Sequence, residues 1–560
     1  VDLQRLRQRH TALETKASSW RTRWQEIAEN VRPGSLRLQP SKAASAATER
    51  NDSIINCEPA LASRTLAAGL HSGITSPSRP WLRLGVSDPA LEQQSAVKAY
   101  LTEARDKLLE QFAKANVYGA LASLYADLVD YGTGLIHLDE DDEDVFRAYV
   151  FPLGSFVLEN SPRLSVDTYF HRTTMTVRQL VDLFGLENVS LQVRTAYETN
   201  RLDDAVEVAR CVLPNPSPAK PLETTTPADR LPWLSYWWEH APSGVDGAGK
   251  FLRVSGYREK PFMAPRWEVT GEDVYGSSPG SMALGDCKAL QVLEIQRAKM
   301  HAKLVDPPVA ATSSLAQVIV SLLPGGVTHV PGLAQTDAVK PIHLVDPRAP
   351  TVAAADIRVH EERIRRAYFA DLWLMLSQSE TTMTAREVSE RREEKLLQLG
   401  HVLEKLQDEL LEPLVSRALA ILARKGLLPE APEELQGQTY KVEYVSMMAQ
   451  AQKTLGLTAI DRTAGFVANL AAQPAFAAAA DKLDIDKTVE AYATATGVPP
   501  DMIRDDKAVE KLRTERAKQA KQQQAMAAAP EAAKTVKTLG DTDTSKLGEL
   551  NEMLRAAGVR

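Results

Sequence analysis

The sequence predicts an α+β fold, mainly α-helical, and three observations carry that reading. Apolar residues recur at three- and four-residue spacing through most of the chain, the pattern of helices with one buried face. Two stretches, near residues 134–151 and 233–254, are short runs rich in β-branched and aromatic residues, which suit strands. One helical pattern continues from 384 to 425, too long to bury inside a small domain.

In chain order, Leu3, Leu6, Leu13, Trp20, Trp24, Ile27 and Val31 define a helix from residue 1 to about 32, stopped by Pro33-Gly34. A Ser/Ala-rich linker follows at 34–50. Helical patterns then run from Glu58 to Ser72, from Asp88 to about Phe112 and from Val117 to Asp130. The period changes at Gly134-Leu-Ile-His-Leu and Val145-Phe-Arg-Ala-Tyr-Val-Phe, two strands around the acidic turn Asp139–Asp144. Residues 150–280 mix short strands with Pro-rich loops. A helix spans Asp286–Leu304 and ends at Pro307-Pro308, because proline cannot donate to the preceding turn. Residues 306–350, broken by several Pro and Gly, read as a small β-rich insert, and a helix follows from Ala353 to Ser377. Thr384-Ala-Arg-Glu387 matches a capping box for the long helix, Gly426 its terminating glycine, and Pro413 a kink within it. Ala-rich helices fill 451–500, a charged helix 499–529, and the last residues read as a flexible tail.

At 560 residues, 44% apolar and 25% charged, the chain can bury several domain cores. Its net charge of −7 excludes a protein built as an electrostatic trap for nucleic acid. Cys57, Cys211 and Cys287 are far apart and form neither a CxxC pair nor a disulfide framework. The charged start of the chain does not read as a signal peptide, and no run of about eighteen apolar residues predicts a membrane span.

Catalytic motifs are present only in fragments. Gly276-Ser-Ser-Pro-Gly280 fits GxSxG, but Pro279 has no N–H to offer an oxyanion. His360-Glu361 begins an HExxH pattern that Ile364 breaks. The acidic turn 139–144 lacks the glycine and the final glutamate of a calcium loop. There is no GxxxxGK[ST], and Gly132-Thr-Gly134 lacks a third glycine. Trp233, Trp237 and Trp238 have no interleaved basic patch and read as core. The expectation is a non-enzymatic protein with no metal and no cofactor.

A colinear series of strings carries more. It comprises Asn51-Asp52-Ser53, Leu66-Ala-Ala-Gly-Leu70, Ser72-Gly-Ile-Thr-Ser-Pro-Ser-Arg-Pro-Trp81, Tyr131-Gly-Thr-Gly134 and Val166-Asp-Thr168. Met175-Thr-Val-Arg-Gln-Leu180, Phe184-Gly185, Arg266-Trp267, Val274-Tyr275-Gly276 and Met383-Thr-Ala-Arg-Glu-Val388 complete it. Over roughly residues 5 to 515 this order resembles the portal, or head-to-tail connector, family of T7-like podoviruses. The resemblance implies a ring-shaped homo-oligomer, typically of twelve subunits, around a channel for double-stranded DNA. It implies a wing (1–282), a stem helix (283–305), a clip (306–350), a second stem helix (351–377), a channel loop (378–384), a long kinked wing helix and return (385–449), a helical crown (450–530) and a tail (531–560).

The implied DNA-facing residues are Ser377, Gln378, Ser379, Glu380, Thr381, Thr382 and Met383, with Arg386 in the next helical turn. A cation there opposes the helix dipole, which suits a DNA contact or an ion pair between subunits. Lys288, Arg297, Lys299 and Lys303 on the first stem helix either feel the phosphates or are ordinary solvated charges. The implied partners are the packaging terminase, the tail adaptor, and capsid, scaffold or internal core proteins; the implied place is the portal vertex of the virion, after assembly in the host cytoplasm. ATP hydrolysis would belong to the terminase, in keeping with the missing P-loop. Another virion structural ring or an internal scaffold protein is the alternative.

Overall fold

The computed structural model describes residues 2–33, 35–36, 54–78, 80–86, 88, 91, 94–216, 230–240, 250–305, 309–311, 339–341, 346, 348–371, 399–435 and 440–444, and positions 462–467, 469, 484, 486–489, 492 and 509–520. The chain divides into two compact units, Val1–Gly456 and Leu457–Arg560. In the second, the described stretches 462–467, 486–489 and 509–520 are helical, and Arg513 pairs with Asp486 at 2.7 Å.

The first unit opens with two helices where one is expected. α1 (Leu3–Lys16) starts on the Asp2 carboxylate, which accepts the Gln4 N–H, and α2 (Ser18–Asn30) follows after Ala17. Ala17 keeps right-handed helical angles, so the apolar spacing runs on unbroken and hides the joint. α3 (Glu58–Ile74) packs against α5 (Val117–Tyr131), whose second half, Leu121 to Tyr131, is largely buried. α4 is Ser95–Lys114 and starts later than the expected Asp88.

Just before it lies a strand that the sequence reading misses. β1 (Leu82–Val86) pairs antiparallel with β12 (Tyr440–Tyr444), Leu82 opposite Tyr444. A strand whose partner lies some 350 residues away has no hairpin signal to betray it. Trp81 leads into β1, buried and stacked on Phe112 at 6.2 Å.

β2 (Ile136–Asp141) and β3 (Val145–Val150) form the expected hairpin, with His137 opposite Tyr149. β2 takes up half of the acidic run, leaving only residues 142–144 for the turn. β9 (Phe262–Met263) joins β2. The mixed region becomes one five-stranded antiparallel sheet in the order β4-β5-β6-β7-β8. Its strands are β4 (Phe156–Asn160), β5 (Val166–Thr176), β6 (Ala205–Pro214), β7 (Trp233–Glu239) and β8 (Arg253–Tyr257). Between β5 and β6 sit α6 (Val177–Phe184) and α7 (Leu191–Glu198), which bury a small core of their own. Thr176 and Gln179 close a capping box at the start of α6, which accounts for the Met-Thr-Val-Arg-Gln-Leu string. Trp238 is fully buried and Trp237 lies under the Arg210 guanidinium at 4.8 Å, so these tryptophans pack.

α8 (Pro279–Val305) starts seven residues before the expected Asp286. β10 (Val309–Ala311) and β11 (Val339–Pro341) pair antiparallel beyond it, and α9 (Ala349–Ala367) returns. Of the expected helix over 384–425, residues 384–398 lie outside the described residues, and 399 onward are described. α10 (Gly400–Leu406) passes through a π turn, Gln407–Leu411, into α11 (Glu412–Arg424). Pro413 explains the π turn: it offers no N–H to the Glu409 carbonyl four residues back, and its ring crowds it. One extra residue in the turn relieves that conflict, and the Glu412 N–H reaches back five residues to Gln407. The helix ends in a Schellman motif: Gly426 has φ +67°, its N–H bonds to the Ala423 carbonyl, and the Leu427 N–H bonds to the Leu422 carbonyl.

Candidate functional site

α8 and α9 are the elements that the resemblance marks as a stem, and their geometry departs from the rest of the unit. They run antiparallel: Asp286 meets His360 and Arg363, while Glu294, Arg297 and His301 share a cleft with Ile357, Ala354 and Pro350. At 1.5 Å per residue the 27-residue α8 is about 40 Å long. Its buried residues end at Gln291, and the remaining half, Val292–Val305, has none. The pair therefore leaves the body of the unit.

The base of the pair is held tightly. Ser278 accepts the Ser281 N–H at 2.9 Å and donates to the Asp130 carbonyl at 2.7 Å. It is the N-cap of α8, with Pro279 in the first helical position, where its missing N–H costs nothing. The GxSxG fragment is thus a helix start. Gly280 lies so close to the Asp130 carbonyl and the Tyr368 hydroxyl that a Cβ would collide with them. Beneath it, Arg32 pairs with Asp127 and with the fully buried Asp130, which also accepts a bond from Ser63 at 2.5 Å. Burial drives the Asp127 carboxyl up to about 6 despite the neighbouring Arg32, and pushes Asp130 upward as well.

A second anchor clasps both helices. Asn56 donates to Glu294 at 3.1 Å and to Glu361 at 3.0 Å, one carboxylate from each helix. Its Oδ1 accepts the Glu58 N–H. Gln291 accepts the backbone N–H groups of Ile55 and Asn56 and donates to the Asn56 carbonyl at 2.8 Å. Arg365 adds an ion pair to Glu58 at 2.5 Å. A primary amide suits this place, because its two donors can serve two carboxylates that would otherwise repel.

The residues singled out from the sequence fare unequally. Lys288 is exposed but pairs with Glu26 at 3.0 Å, and Arg297 is 3.6 Å from Glu294 one turn earlier. Lys299 and Lys303 are exposed on the projecting half, with no ion pair among the described residues. Ser377 to Met383 and Arg386 lie outside the described residues. His360 is an inter-helix partner of Asp286 at 2.8 Å. Sequence reasoning missed Asn56, Gln291 and Arg32; as lone polar residues with distant partners they give no local signal.

Several of the strings behind the resemblance meet in space. Gly132 ends α5 at φ +79°, and a Cβ there would strike the Gly276 carbonyl. The Gly276 N–H bonds to the Thr133 hydroxyl at 2.8 Å, and the Trp267 N–H to the Gly132 carbonyl at 2.9 Å. Thr133 and Arg266 form a β-bridge. Tyr131–Gly134, Arg266-Trp267 and Val274–Gly276 are one junction at the foot of α8.

The chain is similar to known proteins along nearly its whole length. Residues 3–503 match the family described as "Bacteriophage head to tail connecting protein". The chain is 42% identical over 562 residues to the "Portal protein" of Salmonella phage epsilon15, covering 100% of this chain and 99% of that one. It is 34% identical to the "Probable portal protein" of Bordetella phage BPP-1, covering 97% and 96%. A family match across most of the chain, and two relatives matched nearly end to end, leave one conclusion: this chain belongs to the bacteriophage head to tail connecting protein family.

Proposed function

We propose that this chain is a portal subunit that assembles into a ring, typically of twelve, at one capsid vertex. DNA enters and leaves through its channel, the terminase docks during packaging, and the tail adaptor docks afterwards. The observation that carries this reading is the projecting antiparallel pair α8–α9, closed off by the short β10–β11 pair: a stem with a clip at its far end. On the same reading, residues 378–384 form the channel loop, 385–449 the long wing helix and its return, and 450–530 the crown.

The outer faces of the pair support self-association. Val292 and Ile295 are 51% and 37% exposed, flanked at helical spacing by Lys288 and Lys299. On α9, Val352 and Val359 are 61% and 47% exposed, with the exposed acids Asp356 and Glu362 between and beside them. Exposed apolar residues on the outer faces of both helices suit head-to-tail contact between copies, which closes into a ring. A passive conduit also suits a net charge of −7, because a strongly basic ring would hold DNA by counterion release.

The test is the native mass of the purified protein with negative-stain images. A ring of about 12 × 61.4 ≈ 737 kDa with a central hole is expected. A monomer at high concentration that forms no ring with capsid or scaffold protein added would refute the assignment. Val292→Glu should weaken assembly while leaving the subunit folded.

A further inference from the structure

Two features hold the π turn of the long helix. Pro413 demands a break in the α ladder just upstream, but does not by itself decide in which register the helix runs beyond the break. The second feature is Arg266. Its side chain is 4% exposed, and all five guanidinium N–H groups have acceptors. Nε donates to Glu409; one terminal nitrogen donates to Glu409 at 2.5 Å and to the Leu164 carbonyl at 3.0 Å. The other reaches Asn160 and the Asp273 carbonyl, each at 3.4 Å. The Arg266 backbone N–H adds a further bond to Glu409 at 2.9 Å, and Arg266 is itself fixed by its bridge to Thr133. Glu409 stands in the middle of the π turn. Two residues after Arg266, Glu268 pairs with His401 at 2.9 Å, one turn or more before the bulge. The segment 266–268 therefore grips the helix both in the bulge and upstream of it.

We infer that Arg266–Glu409 and Pro413 together form a register lock for the long helix. The extra residue of a π turn is the difference between two helical registers. With the bulge present, position 401 faces Glu268. With it removed and α11 held in place, position 402 moves to where 401 stood. Everything upstream then turns by about 100° and shifts by about 1.5 Å. Arg266 is a positioning residue: it acts through Glu409 on the direction that the upstream helix presents. The lock stands on contacts within the subunit and does not depend on the proposed function.

The experiment reads register by cross-linking in a Cys57→Ser background. Glu268→Cys with His401→Cys should be bridged by a short thiol-reactive cross-linker more readily than Glu268→Cys with Val402→Cys, because the 2.9 Å contact joins the ends of the two side chains. Glu409→Gln alone, or Pro413→Ala alone, should leave that preference unchanged, because either half of the lock still holds the bulge. Both together should reverse it, with the 268–402 link forming at least several-fold faster than the 268–401 link. If the double variant still prefers 268–401, or if either single variant reverses the preference, the joint lock is wrong. Should the double variant not fold, Arg266→Met with Glu409→Leu and Pro413→Ala replaces the buried pair by apolar side chains, leaves no unpaired charge, and is read in the same way.

Discussion

Mild acid should loosen the first unit, because three of its histidines are buried in the neutral state. His10 is held down at about 4, His137 at about 4 and His171 at about 3, in each case mainly by burial. The geometry agrees. His10 stacks on Phe170 at 5.2 Å, where α1 lies against the sheet. His137 Nε2 faces the Arg210 guanidinium at 3.0 Å; arginine can only donate, so this nitrogen must accept and cannot carry a proton. His171 stacks on Phe151 at 3.9 Å, and Arg210 adds to the effect of burial.

A folded-state value below the unfolded 6.5 means that the unfolded chain binds more protons between the two values. Stability is therefore complete above about pH 6.5 and falls as the pH drops toward 4. Per histidine, RT ln[(1 + 10^(6.5−pH))/(1 + 10^(pKa−pH))] is about 2 kcal/mol at pH 5, so the three together lose about 6 kcal/mol. Asp127 opposes this. Raised to about 6, it takes up a proton more readily when folded and returns about 1 kcal/mol over the same window. The net loss of about 5 kcal/mol compares with total domain stabilities of about 5–15 kcal/mol. Thermal melts at pH 7.5 and pH 5.0 should show a large drop in Tm, and His171→Gln should remove about two-fifths of the pH dependence. Equal midpoints at the two pH values would refute the burial argument.

Three further outcomes are expected. Ser278→Ala should cost about 1 kcal/mol through the lost N-cap, a drop in Tm with no loss of solubility. Gly132→Ala should be far more damaging, because φ +79° and the Gly276 carbonyl both exclude a Cβ; insoluble protein is expected, and a soluble protein with unchanged Tm would contradict it. Asn56→Ala should leave Glu294 and Glu361 facing each other without a bridge, costing about 2 kcal/mol by the worth of hydrogen bonds to charged groups. Faster amide exchange in α9 than in α5 would locate that effect; uniform exchange would not fit it.

Much of this molecule is legible in order of sequence because its elements are locally encoded. Helical periodicity gives α3 and α5, Gly426 the end of the long helix and Pro413 its irregularity. Proline, glycine and caps act within one turn, so their consequences can be read from neighbours alone. What required the fold is every pairing between distant residues. β1 waits for β12, and Ser278 becomes a cap on the Asp130 carbonyl rather than a nucleophile. Asn56 holds one carboxylate from each helix of the pair, and three of the family strings turn out to be one junction. The π turn shows the division in a single place. Pro413 forbids a regular helix there for reasons internal to the backbone, while its register is held by Arg266, 147 positions earlier in the chain, which only folding brings against Glu409.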